Sequence, residues 1–470
     1  MHDLKRPGVL IIVQNLPVPL DRRVWLECSA LTACGYQVSV ICPEGPGDPA
    51  YQELDGVHIY KYRPAPEARG PIGFFWEFAY SWCRAAALSV RVLRRHGFDV
   101  LQACNPPDTY WLLGLLYRLR GKRFVYDQHD LNPEVFLSRF GEPEGAVQRS
   151  QYRMLLTIER LTYLVANHVI STNESYRGVA IQRGRRRPDD VTIVRSGPDT
   201  SVMRPVAETN ALRAGRRRLV CYLGIMGPQD GVDVLLHAIN SYVNVLGRDD
   251  CHFALLGFGD CFEELKHQSR ALGLDDYVTF TGRADAAMVA QYLSAADVGV
   301  SPDPLSPLND VSTMNKTMEY MAFALPVVAF DLKETRVSAG PAAVYVEPGN
   351  VAGFAKALAD LLDDDEARAK MAVEARLRAA AVLDWRPQAR AYVEVFDTLL
   401  GIERDWTAVG DQWPAVERRS SNGGPPRDRH GKRLVDLRNR DELLRFVRTR
   451  RLPPAAPASG SREHPVDDPR

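Results

Sequence analysis

Short apolar runs alternate with helix-length amphipathic stretches along most of this chain, and that alternation decides the class of fold. GVLIIVQN (8–15) reads as a buried strand and YQVSVICP (36–43) as the next. Between them DRRVWLECSALTACG (21–35) reads as a helix, with Val24, Leu26, Cys28 and Leu31 among its apolar positions and Gly35 as its stop. VHIYKY (57–62), FDVLQAC (98–104), KRFVYDQHD (122–130) and NHVISTN (167–173) continue the series. Strands that are apolar throughout are buried on both faces, as in a parallel sheet covered by helices. After a polar stretch carrying Pro205 the pattern restarts at RLVCYLG (218–224) and runs on through CHFALLGFGD, YVTFTGR and AAVYVEPGN. The expectation is α/β: two Rossmann-like domains, residues 1–197 and 217–383, joined by a linker at 198–216, then a helix at 384–404 and a tail at 405–470. No GxGxxG is present, so the opening βαβ unit is not a dinucleotide fingerprint.

The stretch NDVSTMNKTMEYMAFALPVVAFDLKETR (309–336) concentrates the chemistry. Ser312, Thr313 and Asn315 are N-cap residue types and candidate donor-binding residues, and Lys316 to Ala324 reads as a helix that Pro326 ends. A helix N-terminus offers free N–H groups and a positive dipole end, which suits a phosphate. Glu319, one turn in, is placed to accept two ribose hydroxyls; the plainer alternative is a solvated glutamate on an amphipathic helix. VVAF follows as a buried strand, and Asp331 and Glu334 stand just past its end, where parallel sheets gather ligand chemistry.

Composition narrows the classes. Lys+Arg and Asp+Glu both number 59, so net charge gives no reason to expect nucleic acid. No run of about 18 uninterrupted apolar residues predicts a membrane span. The opening MHDLKRPGVLIIVQNLP does not have the form of a signal peptide. The eight cysteines show no CxxC pair and no zinc spacing, so free thiols in a cytoplasmic protein are expected. The helix predicted over 70–97 crowds Phe74, Phe75, Trp76, Phe78, Tyr80 and Trp82 near its start, with Arg84, Arg91, Arg94 and Arg95 after them. That pattern suits a membrane interface, and equally an aromatic core helix with a solvated basic face.

NKTMEYMAFALPVVAFD resembles the donor-sugar motif of family 4 glycosyltransferases, which have the GT-B fold. The resemblance extends, in order of elements, to about Glu403. It implies two facing Rossmann-like domains, an acceptor domain first and a nucleotide-sugar donor domain second, with a last helix, DWRPQARAYVEVFDTLL (384–400), crossing back to the first. The family carries two glutamates separated by seven residues. Glu319 matches the second and would bind ribose; the first falls at Val311, with Asp310 one position earlier as a sugar contact. His129, leaving a strand at its carboxyl end, would lie near donor sugar and acceptor. Asp199 matches the family's aspartate, and Ser196 stands for its asparagine.

Two departures bear on the phosphates. The family's Gly-Gly-x-Glu turn is here PVPLDRRVW, where Arg22 or Arg23 offers a guanidinium instead. The family's Gly-Arg-x-x-x-x-Lys-Gly clamp is here GIMGPQDG, with Ile225 for the Arg and Asp230 for the Lys. Each charged hydrogen bond so lost is worth about 1.5–3 kcal/mol. Gly224 and Gly227 still allow the backbone to approach phosphate, and Lys316, Arg195 and Arg22 are the replacement cations, Lys316 first. The resemblance thus implies a retaining transferase without cofactor or metal, acting on a lipid-linked or glycan acceptor, peripheral on the inner face of the cell membrane. A catalytically silent subunit and a nucleotide-sugar 2-epimerase are the competing readings. The tail is Pro/Gly-rich; within it RLVDLRNRDELLRFVRTRR (433–451) reads as a basic amphipathic helix for a membrane surface or a partner, or as a solvated segment. The triplet Asp363–Asp365 sits at a helix junction and reads as capping rather than as a metal site.

Overall fold

A computed structural model describes residues 6–65, 70–206, 210–409 and 440–450. Among the described residues the apolar runs form fourteen strands in two sheets. In the first half these are β1 Gly8–Ile12, β2 Gln37–Pro43, β3 Tyr51–Leu54, β4 Val57–Tyr62, β5 Val100–Cys104, β6 Arg123–Gln128, β7 His168–Ser171 and β8 Val191–Ile193. In the second they are β9 Arg218–Leu223, β10 Cys251–Leu256, β11 Val278–Gly282, β12 Val298–Ser301, β13 Val327–Phe330 and β14 Ala343–Val346. The first sheet runs β3-β4-β2-β1-β5-β6-β7-β8 and the second β11-β10-β9-β12-β13-β14. All neighbours are parallel except β3 and β4. β3 was absent from the sequence reading. It pairs with β4 through Asp55-Gly56, both at positive φ, the backbone that a two-residue hairpin demands.

In each sheet the strand order reverses beside the first strand of the half, between β1 and β5 and between β9 and β12. Loops leaving the carboxyl ends at such a point form a crevice. Here the two crevices face each other, and side chains from one half reach the other.

The helix Trp385–Leu400 returns to the first half. Trp385, Tyr392 and Phe396 are buried among Val24, Cys28, Val38 and Val100. Each such side chain contributes about 1.5–3 kcal/mol on burial. Tyr36 Oη donates to Asp397 Oδ1 at 2.6 Å, and Arg404 Nη2 donates to the same oxygen at 2.7 Å. Where the chain passes between halves, the backbone segments touch: Trp385 N donates to Pro198 O at 3.0 Å. A Cβ on Gly197 would lie 1.8 Å from Leu383 O, so only glycine fits that crossing.

Two expectations about the periphery need correction or restriction. The amphipathic segment of the tail forms a helix over Arg440–Thr449 whose apolar face is already occupied. Leu443, Phe446 and Val447 pack on Ala324, Ala369, Ala372 and Val373 of the second half, so this face is not offered to a membrane or partner. Leu434 and Leu437 lie outside the described residues, as do the Pro/Gly-rich stretches on either side. The long helix spans Gly70–Arg95; Trp76 is exposed, while the side chains of Phe74, Phe75 and Phe78 lie outside the description. Among the described residues no helix is long and apolar enough to cross a membrane. Asp364 caps Asp365–Arg378 by accepting from Ala367 N, and Asp363 pairs with Arg248, in keeping with a capping role for the acidic triplet.

Candidate functional site

A pocket of about 430 Å³ opens at the carboxyl ends of β9 and β10, against the helix Asn315–Ala322. Gly224, Thr313, Asn315, Lys316 and Glu319 line it. Two glycines make it: a Cβ on Gly257 would fall 1.8 Å from Gly224 O, and one on Gly224 would press on Lys316 Cε. The helix is fixed by Tyr320, whose hydroxyl donates to Val300 O and accepts from Leu223 N. Met314 occupies its N-cap with no side-chain cap, and while Thr317 N donates to Met314 O, the N–H groups of Asn315 and Lys316, both lining the pocket, are left without a side-chain cap. This corrects the expectation that Ser312 and Thr313 cap the helix. Their hydroxyls bond across to the first half instead: Tyr176 Oη lies 2.9 Å from Ser312 Oγ, and Asn173 Nδ2 donates to Thr313 Oγ1 at 3.0 Å.

Lys316 is at the helix start, as its position in the sequence implies, but it is not a free cation. Only 8 % of its side chain is exposed, its ammonium pairs with Asp303, and Asp230 lies 3.8 Å away. Burial works to lower its pKa, and the two aspartates outweigh that and hold it raised. Asp230 is raised by burial against the pull of Lys316. Asp303 was missed in the sequence, although SPDP stands at the carboxyl end of β12 where such residues gather.

Other expected site residues take structural partners. Asp310 accepts from Lys333 N at 2.9 Å and so ties down the start of the helix Lys333–Ala339. Glu334 is buried against Ser175 Oγ at 2.6 Å, with Arg195 Nη1 at 3.9 Å, so both belong to the contact between halves and not to the pocket. Asp331 pairs with Arg336. Gly227 lies on the turn whose N–H is capped by Asp230. Arg22 remains at the pocket: its guanidinium leaves the first half and pairs with Glu319.

The first half contributes a buried polar cluster around His129. Asp127 Oδ2 lies 2.7 Å from His129 Nε2. Arg23 Nη2 donates to Asp127 Oδ1 at 2.8 Å, and its Nη1 donates to Val194 O and Ser196 Oγ. Arg23 Nε sits 3.1 Å from His129 Nε2 and 3.0 Å from Glu27 Oε1. Nε2 thus faces both the Asp127 carboxylate and the Arg23 Nε–H, which donates to it, while Glu27 Oε1 keeps only an ionic contact with Arg23. That leaves Nδ1 with no partner among the described residues, at the carboxyl end of β6. Gln102 Nε2 bridges Glu27 and Asp127, and Tyr392 of the returning helix donates to Gln102 Oε1 at 2.6 Å. Burial works to raise the Asp127 carboxyl, and Arg23 and His129 outweigh it and hold it well below the usual range. Burial and Asp127 push Glu27 well above. Cys104, Asp127 and His129 are close enough to suggest a metal, but the Arg23 guanidinium and Gln102 amide already fill the cation's place.

Both halves of the chain are similar to known proteins. Residues 20–202 match the sequence profile described as Glycosyltransferase Family 4, and residues 217–364 that described as Glycosyl transferases group 1. A phosphatidyl-myo-inositol mannosyltransferase of Mycobacterium leprae is 32 % identical over 174 residues, 37 % of this chain and 44 % of that protein, so the match spans less than half the relative's length. Sucrose-phosphate synthase of Thermosynechococcus elongatus superposes with a TM-score of 0.68 at 18 % identity, over 85 % of this chain and 100 % of that one. Anabaena HepE in complex with UDP-glucose gives 0.61 at 16 %, over 84 % and 99 %. With both halves matched in order and folded as two facing parallel-sheet domains, this chain belongs to the family 4 glycosyltransferases of GT-B fold.

Proposed function

We propose that the chain moves a sugar from a nucleotide-diphosphate donor to a lipid-linked or polysaccharide acceptor, with retention, without a metal, and peripherally at a membrane surface. The observation that carries this is the uncapped start of Asn315–Ala322 opening into the glycine-walled pocket beside Glu319. Glu319 takes ribose hydroxyls, and the backbone N–H groups of Asn315 and Lys316 take the diphosphate with the helix dipole behind them. Catalysis then rests on holding the reactants and stabilising the departing diphosphate. His129, with Nδ1 free, lines the acceptor side. The lipid-linked acceptor is supported by the name of the mycobacterial relative.

A catalytically silent, ligand-binding subunit is the second reading. It is favoured by Asp230 and Asp303 neutralising Lys316 where the family has free cations. Calorimetric titration with uridine, guanosine, adenosine and thymidine diphosphate sugars, with and without EDTA, separates the two. A donor that binds with EDTA present and is consumed, giving product of the donor's own anomeric configuration by NMR, supports the transferase. Binding without consumption under any acceptor supports the silent subunit, and an EDTA-sensitive donor sinks metal independence.

A further inference from the structure

The helix Asn315–Ala322 ends in a way that ties it to the far C-terminal segment. Ala324 N donates to Met321 O and Leu325 N to Tyr320 O, both at 3.0 Å. This is the Schellman pattern, in which the residue after the cap is left-handed and usually glycine. Here it is Ala324, at φ +55°. A side chain in that backbone costs about 1 kcal/mol relative to glycine. The methyl that glycine would lack is buried in the cluster formed by Leu443, Phe446 and Val447.

Beyond that helix, Arg450 turns back and is only 3 % exposed. Its Nη2 donates to Ala324 O at 2.8 Å and its Nη1 to Phe323 O at 3.3 Å. Arg376 Nη1 donates to the preceding carbonyl, Ala322 O, at 2.8 Å, while its Nη2 donates to Thr200 O of the stretch between the halves. Two buried guanidinium groups thus sit on three successive carbonyls at the negative end of the helix whose positive end faces the pocket. Cations at a helix C-terminus are worth up to about 2 kcal/mol when partly buried. Residues 440–450 lie outside both stretches matched to the family.

We infer that Arg450, presented by the helix Arg440–Thr449, is a positioning residue for nucleotide-sugar binding: a strap that fixes the C-terminal end of Asn315–Ala322 and thereby the N–H groups and Glu319 at its other end. The inference rests on the donor site proposed above. Among the described residues, the strap's contacts with the second half include the buried Leu443, Phe446 and Val447, Leu444 beside them, and the Arg450 guanidinium. Without Arg450, two buried carbonyls lose their donors and the left-handed Ala324 loses its support, so the helix gains freedom at the end opposite the ligand.

The test uses the full-length chain with Arg450→Ala and Arg450→Lys, measuring donor affinity by calorimetry with UDP-glucose and its guanosine, adenosine and thymidine counterparts, and amide exchange over 315–325. Arg450→Ala should weaken the donor that wild type binds about three- to tenfold and speed exchange across that segment, and Arg450→Lys, which keeps the charge, should recover part of both. Unchanged affinity in Arg450→Ala overturns the positioning role even if exchange quickens, and unchanged exchange overturns it outright. Should Arg450→Ala fail to fold, Arg450→Lys and Phe446→Leu carry the same two readouts, and wild-type values for both would overturn it. If the wild-type chain binds no donor sugar, the reading of the site fails, and the exchange arm still decides whether the strap holds the helix.

Discussion

Arg22 and Glu319 form an ion pair across the cleft, one from the first turn of the helix Arg22–Ala33 and the other from the helix that lines the pocket. The arginine is 39 % exposed and the glutamate 14 %. A pair so placed is worth about 1 kcal/mol or less, little enough for a ribose to compete for the carboxylate. In the donor pose proposed above, the released guanidinium stands beside the diphosphate, where Ile225 supplies no charge.

Glu319→Ala should therefore weaken donor binding at least about tenfold, since two ribose hydroxyls lose their acceptor. Arg22→Ala should act in two opposing ways, easing access to Glu319 but removing a cation, and its net effect should be a lower turnover. Calorimetry and initial rates separate the two. Wild-type affinity in Glu319→Ala would remove this residue from the site.

Asp230 and Lys316 predict an unusual response to pH. Burial raises the Asp230 carboxyl, so it takes a proton at a higher pH than an exposed aspartate. Protonation removes a negative charge from the wall of a pocket that receives an anion. Donor affinity should rise as pH falls into the range where this carboxyl takes its proton, which lies above that of an exposed aspartate, and Asp230→Asn should bind on the order of tenfold tighter and lose that dependence. A parallel pH profile in wild type and variant would exclude Asp230 as its source.

His129 and Asp127 should separate binding from chemistry. His129→Ala removes a group on the acceptor side and should lower turnover by about a hundredfold while leaving donor affinity unchanged. Asp127→Asn takes from the buried Arg23 the carboxylate that accepts from its Nη2 and leaves Glu27 as its remaining acidic neighbour, which costs at most about 3–5 kcal/mol. Its urea midpoint should fall accordingly. Equal loss of donor affinity and turnover in His129→Ala would place the imidazole on the donor instead.

His168, on β7, gives a stability prediction away from the site. Burial lowers its pKa from 6.5 to about 4, and its Nε2 lies 2.9 Å from Thr192 Oγ1. The folded chain keeps it neutral where the unfolded chain protonates it. Its contribution is therefore fully present above pH 6.5 and is lost as pH falls from 6.5 towards 4. Comparing wild type with His168→Gln by urea unfolding across that window isolates this group. The difference between the two should shrink as pH falls, and a constant difference would refute the assignment.

The sequence alone determined the fold class, the buried strand series in both halves, though not the exposed hairpin strand β3, and the helix beginning near Lys316, because uniformly apolar strands and helical periodicity are local signals of burial. It also placed Glu319 one turn into that helix, since distance from the helix start follows from 3.6-residue geometry, and there it lines the pocket. Tertiary structure decided who pairs with whom. Lys316 is locked by Asp303 and Asp230. Ser312 and Thr313 serve the first half, Asp310 ties down another helix, and the tail's apolar face covers Ala324. These outcomes hang on contacts between residues far apart in the chain, where a charge or an apolar stripe shows that a partner is required but carries no mark of which one the fold will bring.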